Sequence, residues 1–500
     1  MGLKAALSKP FAAWVVKGIN KWKGDAVKAQ EEVFYALIRS AAATTFGKDH
    51  QFSTINNYTD FKQKVPIRDY EGLRTYIDRV VAGKSNVLWP GKPKYFAKTS
   101  GTTSGVKYIP ISKESMPEHI KAARNALLTY IHETGHTNFV NGKMIFLQGS
   151  PVLSKKNGIN VGRLSGIVAH LVPAYLQKNR LPSYATNCIE DWETKVDAIV
   201  EETINQDMTL ISGIPPWVQM YFDRLSEKSG GKKIKDIFKN FSLFVYGGVN
   251  YEPYSAKIEA SIGKKIATIE TYPASEGFIA YQDSQQDKGL LLLVKAGIFY
   301  EFIPANEYHN EQPTRLSLAE VELDKNYALI LNTNAGLWGY SIGDTVKFVS
   351  LNPYKIKVTG RIKHFISAFG EHVIAEEVEQ ALLSVANQEG VEITEFTVAP
   401  QVSPPNGELP FHEWFIEFAS MPKSIAAFRL KVDEALQQKN IYYLDLITGK
   451  LLQPLIIRTL QKDAFVNYMR AEGKLGGQNK VPRLSNDRKL ADGLNKYITN

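Results

Sequence analysis

"LFVYGGVN" occupies residues 243–250. Its apolar run is short, does not alternate with polar residues, and stops at two glycines. That pattern reads as a strand buried on both faces, closed by a glycine turn. "MTLISGIPPWV" (208–218) repeats the pattern, ending in a Gly-Pro turn after a helical period over 191–206. "KMIFLQG" (143–149) is a third such run and follows a helix expected over 113–134. Buried strands alternating with helices, with glycines at the strand ends, argue for an α/β sheet that binds ligands at its strand C-termini. Helical spacing in "AQEEVFYALIRSAAATTFG" (29–47) extends the opening of the chain into a helix over 10–47.

The texture changes near residue 287. "KGLLLLVKAGIFYEFIP", "AEVELDKNYALILNT" and "YSIGDTVKFVS" read as strands joined by polar turns. A smaller unit follows, with helices over 375–386 and 423–438, strands over 392–399 and 411–418, and a last helix near 461–472. The expectation is an α/β fold: a large N-terminal α/β body (1–365) with a β-rich subdomain, and a small mobile α+β C-terminal lid domain (366–500). Two domains also suit 500 residues, which exceed the usual size of one core.

Lys and Arg number 60 against 51 Asp and Glu, a net charge of +9 spread along the chain rather than gathered in runs. That favours small anionic ligands over nucleic acid. Cys188 is the only cysteine, which excludes an intramolecular disulfide and a cysteine-rich zinc site and suits a reducing, cytoplasmic setting. No stretch approaches the ~20 apolar residues of a membrane span, so no membrane partner is expected. The N-terminal amphipathic stretch reads as a helix packed on the body. It begins Met-Gly, but residue 6 is Ala where myristoylation wants Ser or Thr.

Several catalytic templates fail. "HETGH" (132–136) has the H-E-x-x-H spacing of zinc peptidases, yet Gly135 sits where the helix should be ending. No Walker loop, G-x-G-x-x-G or G-x-S-x-G occurs. Four stations remain. "TSGTTSGVKYIP" (99–110) packs hydroxyls and glycines between strands, with Lys107 behind, as a loop closing on phosphate would. "YGGVN" (246–250) is a tight turn on which a flat ring could lie. "IETYPASEG" (269–277) delivers Tyr272, Ser275 and Glu276 at a strand end: an aromatic to stack on a base and a carboxylate able to hold Mg2+ against phosphate oxygens. In "YSIGDTVKF", Asp344 follows a glycine at a turn, where a carboxylate can accept both ribose hydroxyls.

In that order the stations resemble the adenylate-forming superfamily of acyl-activating enzymes. Within it, the chain resembles the Gretchen Hagen family of acyl acid amido synthetases, through "VPIRDYEGLRTYIDRV" (65–80), "FYEFIP" (299–304) and "YALILNTNAGLWGYSIGDTVKF" (327–348). The resemblance implies that Ser100, Gly101, Thr102 and Thr103 cradle the ATP phosphates and that Tyr272 contacts adenine, with Gly247 and Gly248 as the other wall and Ser275 beside it. It implies that Glu276 helps hold Mg2+, that Asp344 binds ribose with Arg361 nearby, and that Lys480 of "GGQNKVPRL" is the lid lysine acting on the α-phosphate. The implied reaction joins a small carboxylic acid to an amino acid through an acyl-adenylate. An acyl-CoA ligase sharing the first step and a non-catalytic nucleotide-binding protein stand as alternatives. The chain has Gly339 and Ser341 just before the Gly-Asp pair, where the plant enzymes usually carry an arginine.

Overall fold

The computed structural model describes residues 3–99, 106–172, 177–248, 251–308, 310–362, 365–366, 368–371, 373–472 and 481–499. The chain divides into two compact units, with the change of unit after Ile362.

The first unit opens with helices, but not as one long rod. Leu3–Lys23 and Ala26–Ala41 are separate helices, because Asp25 leaves helical geometry at φ −138°. Thr44 then caps a short helix Thr45–Asp49, its hydroxyl accepting the Gly47 N–H at 3.0 Å. Helix Tyr70–Val81 begins where Asp69 accepts the Gly72 N–H, satisfying one of the unpaired donors of a first turn. Helix Ser115–Thr134 stops at Gly135, whose φ of +71° admits a left-handed cap.

Eleven strands form the main sheet among the described residues. From one edge they run Arg180–Leu181, Lys143–Phe146, Met208–Ser212, Leu243–Gly247 and Ala267–Ala274, all parallel. The rest are antiparallel: Gly277–Gln282, Leu290–Leu292, Tyr354–Arg361, Tyr340–Leu351, Asn326–Thr333 and Ile298–Pro304. The parallel half carries the buried runs expected from "LFVYGGVN" and its neighbours. The antiparallel half matches the strand-rich texture after residue 287.

That second half is curled. Strands Ala267–Ala274 and Tyr340–Leu351 are four steps apart, about 19 Å in a flat sheet at ~4.8 Å per step. Yet the Tyr272 hydroxyl lies 2.5 Å from Asp344 Oδ2. The interior of the curl is one apolar core, joining Tyr272, Ile279, Leu292, Tyr300, Tyr327 and Phe348.

A smaller sheet in the same unit orders Lys107–Ile111, Tyr95–Thr99, Ile159–Gly162 and Ser154–Lys156. The second unit carries a three-stranded sheet, Glu392–Gln401, Phe411–Ser420 and Ile456–Thr459, with helices Ala375–Glu389 and Ile425–Lys439 packed on each other. Inside it the buried Glu371 carboxylate accepts the Phe369 N–H and meets His412 Nε2, each at 2.9 Å. Among the described residues, no helix is long and apolar enough to cross a membrane.

Candidate active site

The turn Ser275–Glu276 joins the last parallel strand to the first antiparallel one, so it sits where the two halves of the sheet meet. Parallel pairing brings Gly247 level with Thr271 on the neighbouring strand. A Cβ on Gly247 would lie 2.3 Å from the Thr271 carbonyl oxygen, so no larger residue fits that approach. Gly248 follows at φ +84°. Tyr246 and Tyr251 bracket this glycine turn as a stacked pair, ring centroids 4.4 Å apart. Burial raises the pKa of both phenols, which keeps them neutral.

Asp344 is not in a turn, contrary to the reading of "YSIGD". It belongs to the long strand Tyr340–Leu351 and is set by a bulge. Ala328 pairs with Thr345 and Ile330 with Ser341, so the Asp344 strand uses four residues where its partner uses two. Gly343 takes up the difference at φ +86°, and its carbonyl accepts the Ile362 N–H at 2.8 Å. The bulge leaves Asp344 buried and in register opposite Arg361. Its Oδ2 accepts the Tyr272 hydroxyl.

Glu276 is partly exposed, and its Oε1 accepts the hydroxyl of Tyr340 at 3.3 Å. Tyr340 is buried, and its phenol is raised well above its ordinary pKa by that burial and by the carboxylate. It therefore stays a donor.

The start of the Asp344 strand is clamped from several sides. Gly339, at φ +53°, donates its N–H to Asn332 Oδ1 at 2.7 Å and accepts the Arg68 N–H at 2.8 Å. A Cβ at Gly339 would strike the Pro66 carbonyl at 2.5 Å, which is why this chain carries glycine there. Asn332 Nδ2 donates to Glu301 Oε1 at 2.9 Å. Glu301 is fully buried; its Oε2 also accepts Tyr58 Oη at 2.9 Å and pairs with the Arg315 guanidinium at 2.6 Å. Arg315 reaches on to the Lys62 and Val65 carbonyls. The three stretches that carry the family resemblance thus converge on one buried network.

Of the expected site residues, the structure joins Tyr272 to Asp344 directly and places Gly247, Ser275 and Glu276 at adjoining strand ends. Ser100, Gly101, Thr102, Thr103 and Lys480 lie outside the described residues. The strands flanking the hydroxyl-rich loop do pair, with Thr99 opposite Lys107. The Lys107 ammonium sits over the Tyr70 ring at 5.5 Å, and the Tyr70 hydroxyl accepts the Tyr108 N–H. Tyr340, Tyr246 and the Glu301 network were missed by sequence reasoning. The signal for Glu301 was present, since "FYEFIP" puts one carboxylate into an otherwise apolar strand. "HETGH" is dissolved by the Gly135 cap: Glu133 is spent on Ser284 Oγ and the Gln285 N–H, and His136 lies beyond the helix.

Comparison with known proteins identifies the family. Models of the GH3 family N-terminal, central and C-terminal domains match residues 15–180, 291–361 and 376–489. The chain is 22% identical over 389 residues to the jasmonoyl–L-amino acid synthetase JAR4 of Nicotiana attenuata, covering 65% of this chain and 67% of that one. It is 26% identical over 198 residues to the indole-3-acetic acid-amido synthetase GH3.3 of Arabidopsis thaliana, covering 37% and 33%. The solved AtGH3.15 acyl acid amido synthetase in complex with 2,4-DB superposes with a TM-score of 0.60 at 16% identity, over 97% of this chain and 96% of that one. With all three of its domains matched in order, the chain belongs to the GH3 family, as its quoted stretches implied.

Proposed function

We propose that this protein is an ATP-dependent acyl acid amido synthetase. It activates a small carboxylic acid as its acyl-adenylate, releasing pyrophosphate, and passes the acyl group to the amine of an amino acid, releasing AMP. Membership of the GH3 family supports this class. The Tyr272–Asp344 hydrogen bond beside the Ser275–Glu276 turn is the observation that carries the site reading.

In this reading Asp344 accepts the ribose hydroxyls. Tyr272 fixes the carboxylate from behind, and the bulge at Gly343 aims it. Adenine lies along the Gly247–Gly248 backbone, where the Cβ side of Gly248 is open. Residues 100–103 wrap the phosphates by amides and hydroxyls, and Arg361 stands beside the ribose.

Glu276 fits a Mg2+ ion that arrives with the nucleotide. Such an ion usually takes one or two protein carboxylates and fills its other positions with phosphate and water oxygens. A half-exposed glutamate at a strand turn, held by Tyr340, meets that need. The ion would draw charge from the phosphate oxygens. Lys480 acts on the same side of the reaction, stabilising negative charge as the acid's carboxylate attacks the α-phosphate. No protein nucleophile is required. Movement of the second unit withdraws Lys480 and admits the amine.

The test is pyrophosphate release from ATP across a panel of carboxylic acids, with amino acids or coenzyme A added in turn. Amide product is expected. Thioester as the sole product, or no turnover with any acid, overturns the proposal.

A further inference from the structure

The helix Leu3–Lys23 has two unlike faces. Ala12, Val15 and Ile19 are buried against helix Ser115–Thr134 in a cluster with Ala122, Ala126 and Ile131. On the other side Leu7, Phe11 and Trp14 recur at i, i+4 and i+7, so they share one stripe. They are 60%, 41% and 70% exposed. The Phe11 and Trp14 rings lie near-parallel with centroids 6.0 Å apart, so they form one aromatic pair. Single exposed apolar residues need no explanation, but a contiguous stripe of three large ones does.

The charge around the stripe says what would cover it. The helix holds Lys4, Lys9, Lys17, Lys21 and Lys23 and has no Asp or Glu. Lys23 is engaged by Asp283, and Lys4 reaches Asn179 at 3.4 Å. Lys17 and Lys21 are exposed, one and two turns beyond Trp14. From the neighbouring helix, the Arg124 guanidinium lies 5.8 Å from the Phe11 ring centroid. Two carboxylates on that helix are engaged elsewhere, Glu118 with Lys121 and Glu133 with Ser284. The stripe therefore has a cationic border. A second copy of the chain would bring like charges together. A surface with negative headgroups above an apolar layer matches both features.

We propose that this face docks the protein onto anionic lipid bilayers, the helix lying in the interface plane with Leu7, Phe11 and Trp14 immersed and the lysines at headgroup level. The segment is too polar to span a bilayer, so the association is peripheral. The proposal is independent of the reaction assigned above.

The test uses the full chain and two kinds of vesicle, pure phosphatidylcholine and phosphatidylcholine mixed with phosphatidylglycerol. Cosedimentation is expected with the mixed vesicles only, weakening as salt rises. Phe11→Ser/Trp14→Ser and Lys17→Glu/Lys21→Glu should each weaken binding by about tenfold or more. Melting temperature and adenylation should stay unchanged, because these side chains are exposed. The difference in emission between the native chain and Trp14→Phe should shift to the blue on adding mixed vesicles. Failure to bind mixed vesicles, or equal binding by the variants, overturns the proposal. So does a dimer in solution that Trp14→Ser abolishes, which would give the face to self-association.

Discussion

Two buried carboxylates in one curled sheet are treated very differently. Glu301 is fully buried and meets a guanidinium, a phenol and an amide. Asp344 is nearly as buried, but it is placed by a backbone bulge and bonded by the phenol of Tyr272. Glu301 ties three distant stretches together, so its charge serves the fold. Asp344 is tied to Tyr272 beside the Ser275–Glu276 turn, and the reading proposed above gives its charge to a ligand.

The contrast can be broken by substitution. Glu301→Ala leaves the Arg315 charge buried without its partner, and losing one member of such a pair costs about 3–5 kcal/mol. Denaturant unfolding should show that loss, while the folded fraction keeps a near-normal KM for ATP. Lys480→Ala should lower the adenylation rate by about 10²–10³-fold with ATP binding spared, as removal of a charge-stabilising donor does. Near-normal adenylation would mean that another lysine does this work.

Asp344→Asn keeps an acceptor for Tyr272 and should leave the melting temperature almost unmoved. Its KM for ATP should rise about thirtyfold through loss of charge-assisted hydrogen bonds. If it unfolds the protein as Glu301→Ala does, the distinction between the two carboxylates collapses. The smallest effect belongs to Tyr340→Phe, which frees Glu276 from a long hydrogen bond of about 1 kcal/mol. Adenylation should then need several-fold more Mg2+, and an unchanged Mg2+ dependence would separate Tyr340 from the metal.

Much of this molecule was legible in its residues. The apolar runs ending in glycine did become parallel strands, and the strand-rich texture after 287 became the antiparallel half. Tyr272, Glu276 and Asp344 stand out in the sequence because each lies near a strand end or beside a glycine, and the structure brings Tyr272 and Asp344 into contact. Periodicity over 10–47 predicts one helix, but it does not register the breaks at Gly24–Asp25 and at Ala42–Thr44. The Asp344 turn was misread because a bulge and a turn share the same Gly-Asp signature. Glu301 itself stands out as the one carboxylate of "FYEFIP", but its partners are unreadable for a different reason. They lie 14, 31 and 243 residues away, at Arg315, Asn332 and Tyr58, on a loop, the neighbouring strand and helix Tyr58–Lys64, and only tertiary packing brings them together.

The curl has a thermodynamic consequence. The hydrogen bond between Tyr272 and Asp344 forms only when four strand steps have closed on themselves, so it reports on the integrity of the strands from Ala267–Ala274 round to Tyr340–Leu351. A nucleotide bridging these residues binds the closed sheet and not an opened one. By mass action, a concentration a hundred times its Kd stabilises the closed form by about 2.7 kcal/mol. Strands Gly277–Gln282, Leu290–Leu292, Tyr354–Arg361 and Tyr340–Leu351 would then resist proteolysis as a block, including stretches that never touch the ligand.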